Sequence, residues 1–303
     1  MDPDMDARAA KTAAAVVSNS AGTARPALRP PAHACDCHMH IYDPRFPAER
    51  PASRLQTQAT VTDYRQLQHR LGTSRVVIVQ PAAYVTDNRV TLDAIAQFGD
   101  SARGVAVVHP DVDDAALATL AAGGIRGIRF SVFDPRTAAT AVEMIEPLAH
   151  RVAPLGWHVQ LHMRGDQIAA HAALLRRLPC PIVFDHMGRL PQPEGTRHEA
   201  FAVIRDLIQT GRAWVKLSGA YLDSRVGPPG YDDAAEVART FIALAPDRVV
   251  WGSDWPHPTE AHKPDDAVLF DLLSVWAPDA GAVRRILVEN PQALYGFPAL
   301  AAA

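Results

Sequence analysis

The chain has 303 residues, 48% apolar and 21% charged, which is enough hydrophobic material for a packed core and excludes wholesale disorder. Its 33 acidic and 30 basic residues give a net charge of −3, which excludes a nucleic-acid binder with a diffuse basic surface. No apolar run approaches the roughly 20 residues of a membrane span, and three cysteines, Cys35, Cys37 and Cys180, are too few for a disulfide framework, so a reducing, cytoplasmic setting is expected.

Residues 1–34 are rich in Ala, Ser, Thr and Pro, show no sustained period of 3.6 or 2, and read as a flexible N-terminal arm ahead of one folded unit, 35–303. The first residues carry three aspartates and only a short apolar stretch, a poor secretory signal. From Cys35 onward, short apolar segments alternate with helical patterns. The strand-like segments are CDCHMHI (35–41), RVVIVQ (75–80), RGVAVVH (103–109), IRGIRF (125–130), WHVQLH (157–162), PIVFDH (181–186), AWVKLS (213–218) and RVVWGSD (248–254). Between them lie stretches such as DNRVTLDAIAQFG, DVDDAALATLAAGG, RGDQIAAHAALLRRL and DDAAEVARTFIALA, with Asp near their starts and Gly or Pro near their ends.

Strand starts about 20 to 40 residues apart match one strand, a crossover helix and two loops. Eight such units predict a (β/α)8 TIM barrel, an α/β fold without edge strands. A doubly wound open sheet would more often carry a glycine-rich phosphate turn after its first strand, and none is present. A last helical stretch, DAGAVRRILVENPQALYG, is expected to pack outside the barrel after the eighth strand.

Strand side chains alternate, so in CDCHMHI the residues Asp36, His38 and His40 are expected on one face and Cys35, Cys37 and Met39 on the other, away from the barrel mouth. By the same alternation Gln80, His109, Arg129, His162, His186, Lys216 with Ser218, and Asp254 fall at or next to the C-terminal ends of strands two to eight. Catalytic residues of barrel enzymes come from those ends, and a core strand has no packing reason to finish in His or Asp. One such residue alone is an ordinary polar residue near a loop; the whole set points to a site.

His38, His40 and His162 with the carboxylate of Asp254 form a ligand set suited to a divalent metal, Zn²⁺ or Mn²⁺, with room for a water. A bound divalent ion lowers the pKa of its water to roughly 7 and polarises a carbonyl. Asp254 can take the water's proton, and His186 can serve as a further ligand or hold the developing oxyanion. The reaction class that follows is hydrolysis of an ester, amide or lactone. Arg129 on its strand, with Gln80 and His109 at neighbouring strand ends and Arg136, Arg164 and Arg225 in loops, is expected to bind the substrate. Of the basic residues only Lys11, Lys216 and Lys263 are lysines, and arginine forks suit an anionic substrate. Lys216 is expected behind the site rather than in contact with substrate.

At DCHMHIYDP, VIVQPAAYVTDN, GGIRGIRF, IVFDHMG and VVWGSDWPHP the sequence resembles the amidohydrolase superfamily, and within it the branch of 2-pyrone-4,6-dicarboxylate lactonase, 4-sulfomuconolactone hydrolase and D-galactarolactone isomerase. The likeness runs from about residue 35 to 297. It implies a barrel with His38, His40, His186 and Asp254 at the reaction centre and Arg129 as a substrate-carboxylate arginine. The pyrone dicarboxylate lactonase is regarded as metal-independent and carries tyrosine where this chain has His162, the residue of metal-dependent members, so the resemblance implies a metal here. It places Leu222 where that lactonase uses an arginine, which argues against 2-pyrone-4,6-dicarboxylate as substrate. The isomerase has asparagine in place of Asp254. The implied activity is therefore opening of a small anionic lactone, with a muconolactone such as 4-sulfomuconolactone ahead of a sugar-acid lactone. A metal-free lactonase and a non-catalytic organic-acid-binding barrel are the alternatives.

Overall fold

The computed structural model describes residues 16–50 and 58–298. Eight strands, β1 (Cys35–Met39), β2 (Arg75–Val79), β3 (Ala102–Ala106), β4 (Ile125–Ser131), β5 (His158–His162), β6 (Ile182–Phe184), β7 (Ala213–Leu217) and β8 (Val249–Trp251), follow one another in sequential order. Every neighbouring pair is parallel. The ring closes just past β8, where the amide of His40 donates to the Trp255 carbonyl at 2.8 Å and the amide of Asp254 donates to the His38 carbonyl at 2.8 Å. Glycine at 252 permits that approach, because a Cβ there would stand 2.6 Å from the His38 Cβ. Helices occupy the crossovers, giving the expected (β/α)8 TIM barrel. Among the described residues no helix is long and apolar enough to cross a membrane.

The expected helices form at 89–98, 114–122 and 232–244, and the stretch RGDQIAAHAALLRRL is broken at His171 into two short helices. At the start of 114–122 an aspartate seen in sequence makes the cap, Asp113 accepting from the Ala116 amide at 2.7 Å, whereas the helices at 89–98 and 232–244 begin without a side-chain cap. The strands are almost wholly buried on both faces, as parallel sheets are.

Two expectations about facing are corrected. Cys35 and Cys37, expected on the face opposite His38 and His40, point into the barrel interior. They pack with Val77, Val79, Val105, Val183, Trp214 and Val250, residues of five other strands that can meet only on the barrel axis. Asp36 instead faces outward, accepting from Tyr64 Oη at 2.9 Å and Ser253 Oγ at 2.6 Å. The cause is a register shift between Asp36 and Met39 in the β1–β2 pairing, an irregularity that re-aims His38 and His40 toward the mouth. The last helical stretch also reaches inward, since Tyr295 and Phe297 join this axial cluster and close the floor of the barrel.

Residues 16–34 fall within the segment expected to be an arm. They are docked on the barrel: Val17 is buried, Ser18 offers its carbonyl to Trp255 Nε1 at 2.8 Å, and Arg70 binds the carbonyls of Ala21 and Ala24. Asp271 caps the amides of Ala27 and Leu28 at 3.0 and 2.8 Å. A segment without helical or strand period is held by its backbone polar groups, each paired with a side chain distant in sequence. Residues 1–15 of the expected arm, and 51–57 of the loop after β1, lie outside the described residues.

Candidate active site

The polar residues at the strand ends converge. Oδ1 of Asp254 stands 3.5 Å from His38 Nε2, 3.5 Å from His40 Nε2 and 3.9 Å from His186 Nε2. All four side chains are buried. Alternation carries Asp254 inward in step with Val250 and Gly252. His186 arrives differently. Asp185, not His186, continues the inward register of Val183, and a left-handed backbone at His186 (φ +48°) swings its ring back over the axis. Asp254 (φ +63°) and Arg189 (φ +47°) are held in the same sparsely populated region, which concentrates backbone strain at the mouth.

Hydrogen-bond accounting fixes the tautomer of His40. A carbonyl can only accept, so His40 Nδ1 donates to the Val79 carbonyl at 2.8 Å and Nε2 keeps a lone pair. His38 Nδ1 lies between Asp185 Oδ1 at 3.2 Å and Lys216 Nζ at 3.3 Å; with its proton turned to the carboxylate, the lone pair is on Nε2. Two imidazole lone pairs and one carboxylate oxygen therefore face one another with no donor between them, and His38 Nε2 is a buried polar atom without a partner. Three converging acceptors make a cradle for a cation, and His38, His40 and Asp254 fit one. A second group, His38, Asp185 and His186, also has ligand atoms close enough to share an ion, with Oδ2 of Asp185 bound by Arg129 and Gln160.

Beneath His38, Asp185 accepts from Arg129 Nε at 2.9 Å and Gln160 Nε2 at 3.1 Å, and Lys216 Nζ bonds Gln160 Oε1 at 2.7 Å and the Cys37 carbonyl at 2.8 Å. Lys216 thus stands behind the site, as expected. Burial pushes its ammonium down to about 8. Burial also lowers His38 to about 3, helped by the Lys216 charge, and His186 to about 3, so both rings are neutral near pH 7. Burial disfavours ionisation of Asp254 and Asp185 as well. The imidazoles of His186, His40 and His38 hold Asp254 well below the usual carboxylate range, and His38, Arg129 and Lys216 do the same for Asp185.

Above these groups opens a cavity of about 580 Å³ lined by His40, Arg129, His162, His186, Arg189 and Asp254, with Arg50, Arg136 and Leu222 toward its rim. His162 is in the cavity but apart from the acceptor cradle. Its Nε2 accepts from Arg189 Nη1 at 3.1 Å, which leaves Nδ1 to donate to Ser131 Oγ at 2.9 Å, and Phe133 stacks on its ring at 5.1 Å. Both nitrogens are occupied, and His162 belongs to neither group of possible ligands. Gln80 and His109 sit elsewhere. Gln80 ties down the loop after β2 through the Asp87 carbonyl and Thr91, and His109 Nε2 donates to the Ala139 carbonyl at 2.8 Å. Arg164 pairs with Asp166 and the Phe133 carbonyl, and Arg225 is exposed; neither lines the cavity.

The sequence reading missed Asp185, Arg189, Arg50 and Tyr221. Asp185 was in view beside His186, and a turn that brings two consecutive residues inward defeats simple alternation. Arg189 is fixed by Asp223, at 2.6 and 3.0 Å, a partner 34 positions away. Arg50 Nη1 binds the carbonyls of Thr137 and Ala138 across the mouth. Tyr221 Oη donates to Asp254 Oδ2 at 2.7 Å.

Comparison with known proteins agrees with this arrangement. The amidohydrolase family model matches residues 35–297. The chain is 34% identical to a 2-pyrone-4,6-dicarboxylate hydrolase of Comamonas testosteroni, over 91% of this chain and 94% of that one. It is 34% identical to a 4-sulfomuconolactone hydrolase of Rhizobium radiobacter, over 88% and 91%, and 35% identical to a D-galactarolactone isomerase of Agrobacterium fabrum, over 92% and 96%. A crystal structure of an Agrobacterium tumefaciens protein without ligand superposes with a TM-score of 0.84 at 32% identity, covering 93% of this chain and all of that one. This chain belongs to the amidohydrolase family.

Proposed function

We propose that the protein is a lactone hydrolase that opens the ring of a small anionic organic acid at the C-terminal mouth of the barrel. The observation that carries this reading is the convergence of Asp254 Oδ1 with the Nε2 atoms of His38, His40 and His186 in a cavity that also presents the Arg129 guanidinium. Asp254, ionised and unprotonated near neutral pH, takes the proton of the attacking water. His186, the third imidazole at that oxygen, is placed to meet the charge that grows on the lactone carbonyl oxygen. Arg129, its Nε held by Asp185, turns its remaining nitrogens to a carboxylate or sulfonate on the substrate.

His38, His40 and Asp254 would hold a divalent ion, Zn²⁺ or Mn²⁺, with His162 in the second rank because Arg189 and Ser131 occupy its nitrogens. Such an ion supplies Lewis acidity toward the carbonyl and lowers the pKa of water. Among substrates, Leu222 in the cavity lining offers no charge to a further carboxylate, which supports a muconolactone such as 4-sulfomuconolactone ahead of a pyrone dicarboxylate, with a sugar-acid lactone after it.

One observation favours a second reading without a metal. Lys216 Nζ lies 3.3 Å from His38 Nδ1. Were it to donate there, the ring proton would move to Nε2 and face Asp254, and His38 would act as a hydrogen-bond donor in the site. Lactone opening releases acid, so muconolactones, pyrones and aldonolactones assayed with a pH indicator test the function, and elemental analysis with chelation tests the metal. Acid release with a muconolactone at about one metal per chain is expected. Full activity at well under one metal per chain would establish the metal-free route, and binding without acid release across the panel would make the barrel an organic-acid binder.

A further inference from the structure

Tyr221 and His257 lie behind Asp254, on the side away from the histidine cradle. Tyr221 is on the short helix Ala220–Asp223 that follows β7, and His257 is in the turn that follows β8. Tyr221 Oη stands 2.7 Å from Asp254 Oδ2 and 2.9 Å from His257 Nδ1. His257 is fully buried, and its Nε2 is 3.2 Å from Oδ2 of Asp266, also fully buried at the start of the next helix. The turn is pinned as well: the His257 amide donates to the Asp254 carbonyl at 2.8 Å, and Lys263 Nζ donates to the His257 carbonyl at 2.7 Å.

The direction of each bond in this chain follows from what each atom can do. An ionised Asp254 can only accept, so the Tyr221 hydroxyl donates to Oδ2, and its oxygen accepts from His257 Nδ1–H. Asp266 Oδ2 lies 3.2 Å from the other ring nitrogen, Nε2, and fixes the plane of the ring. Tyr221, His257 and Asp266 thus form one contact chain behind a single oxygen of Asp254, drawn from three separate segments of chain. The terminal torsion of an aspartate is broad and nearly two-fold, so a carboxylate with neither oxygen tied has no preferred plane. Tying Oδ2 fixes where Oδ1 goes. A buried His–Asp pair adds little net stability compared with apolar residues of similar size, which points to orientation as its contribution.

We propose that Tyr221, aimed by His257 and Asp266, is a positioning residue that clamps Oδ2 of Asp254 and so presents Oδ1 to the histidine nitrogens and to the attacking water. The proposal rests on the reading of Asp254 as the base of a lactone hydrolase, and adds to it the groups that orient that base. Tyr221→Phe removes one hydroxyl and no ring. With the lactone that the wild type opens, turnover should fall about 100-fold, the size of effect that an ångström of misplacement produces. KM and the thermal midpoint should stay close to wild type, since neither the cavity nor the core changes shape.

His257→Asn keeps an N–H near the place of Nδ1 and should retain most of the turnover, whereas His257→Leu should fall to the level of Tyr221→Phe. Wild-type turnover in Tyr221→Phe, or equal losses in the Asn and Leu variants, would overturn the clamp. Crystal structures of wild type and Tyr221→Phe decide the same point without substrate. The Asp254 carboxylate should turn in the variant, and an unchanged carboxylate plane would overturn the proposal. If the wild type opens none of the lactones, the hydrolase reading fails by itself and the two crystal structures alone decide whether Tyr221 orients Asp254.

Discussion

His38 stands between two buried aspartates, and the regions around them are built in opposite ways. Below the ring, Asp185 is surrounded by donors: His38 Nδ1, Arg129 Nε and Gln160 Nε2, with Lys216 Nζ at 3.8 Å. Above it, Asp254 has one oxygen tied by Tyr221, while the other faces three imidazoles at 3.5 to 3.9 Å. Burial opposes ionisation at both positions, and both are ionised, but for different reasons. Fixed cations share in compensating Asp185, so its charge is structural. Asp254 faces groups that can release or accept a proton, or a cation held between them, so its free oxygen is available for chemistry. One carboxylate builds the floor on which the other works.

The comparison breaks most directly at Asp254. Asp254→Asn keeps the side-chain shape, and asparagine tolerates the left-handed backbone found there (φ +63°), so the fold should survive. Lactone turnover should drop by about 10² to 10⁴, the range for losing a general base. Near-wild-type rates in that variant would remove Asp254 from the mechanism. Asp185→Asn should do the reverse. It leaves the buried Arg129 and Lys216 without their carboxylate, and breaking a buried ion pair from one side costs about 3–5 kcal/mol. Urea denaturation should show this loss for Asp185→Asn and little change for Asp254→Asn. Equal stability of the two variants would mean that the floor is not held by charge.

Strand positions and their order were readable because each barrel strand is a short apolar run ending in a polar residue, and the runs recur at the spacing of one crossover. Alternation then placed Arg129, His162 and Asp254 correctly. It failed where the backbone leaves the extended form. The register shift after Asp36 put Cys35 and Cys37 on the axis, and the left-handed turn at His186 let Asp185 and His186 both face inward. Gln80 and His109 end their strands as expected, yet their side chains tie down the backbones of loops and never reach the cavity. The docking of residues 16–34 was invisible for a related reason. Arg70, itself paired with Asp265, and Asp271 hold that segment through backbone groups, and no local period records such pairings.

His162 offers the smallest and most discriminating test, because it shares the cavity with Asp254 but is partnered as fully as Asp185. Its Nε2 lone pair is engaged by Arg189, whose guanidinium is itself anchored by Asp223 and lies 4.3 Å from the Phe133 ring centroid. To reach a shared ion, the ring would have to release Arg189 and leave a charged group less than a tenth exposed with one partner fewer. His162→Gln preserves an acceptor for Arg189, so metal content by elemental analysis should match wild type and only substrate binding should weaken. His40→Gln should instead lower metal affinity, since Nε2 of His40 faces Asp254 directly. Equal metal loss in the two variants would show that His162 gives up Arg189 for the ion, and that the cradle takes a third imidazole when it is filled.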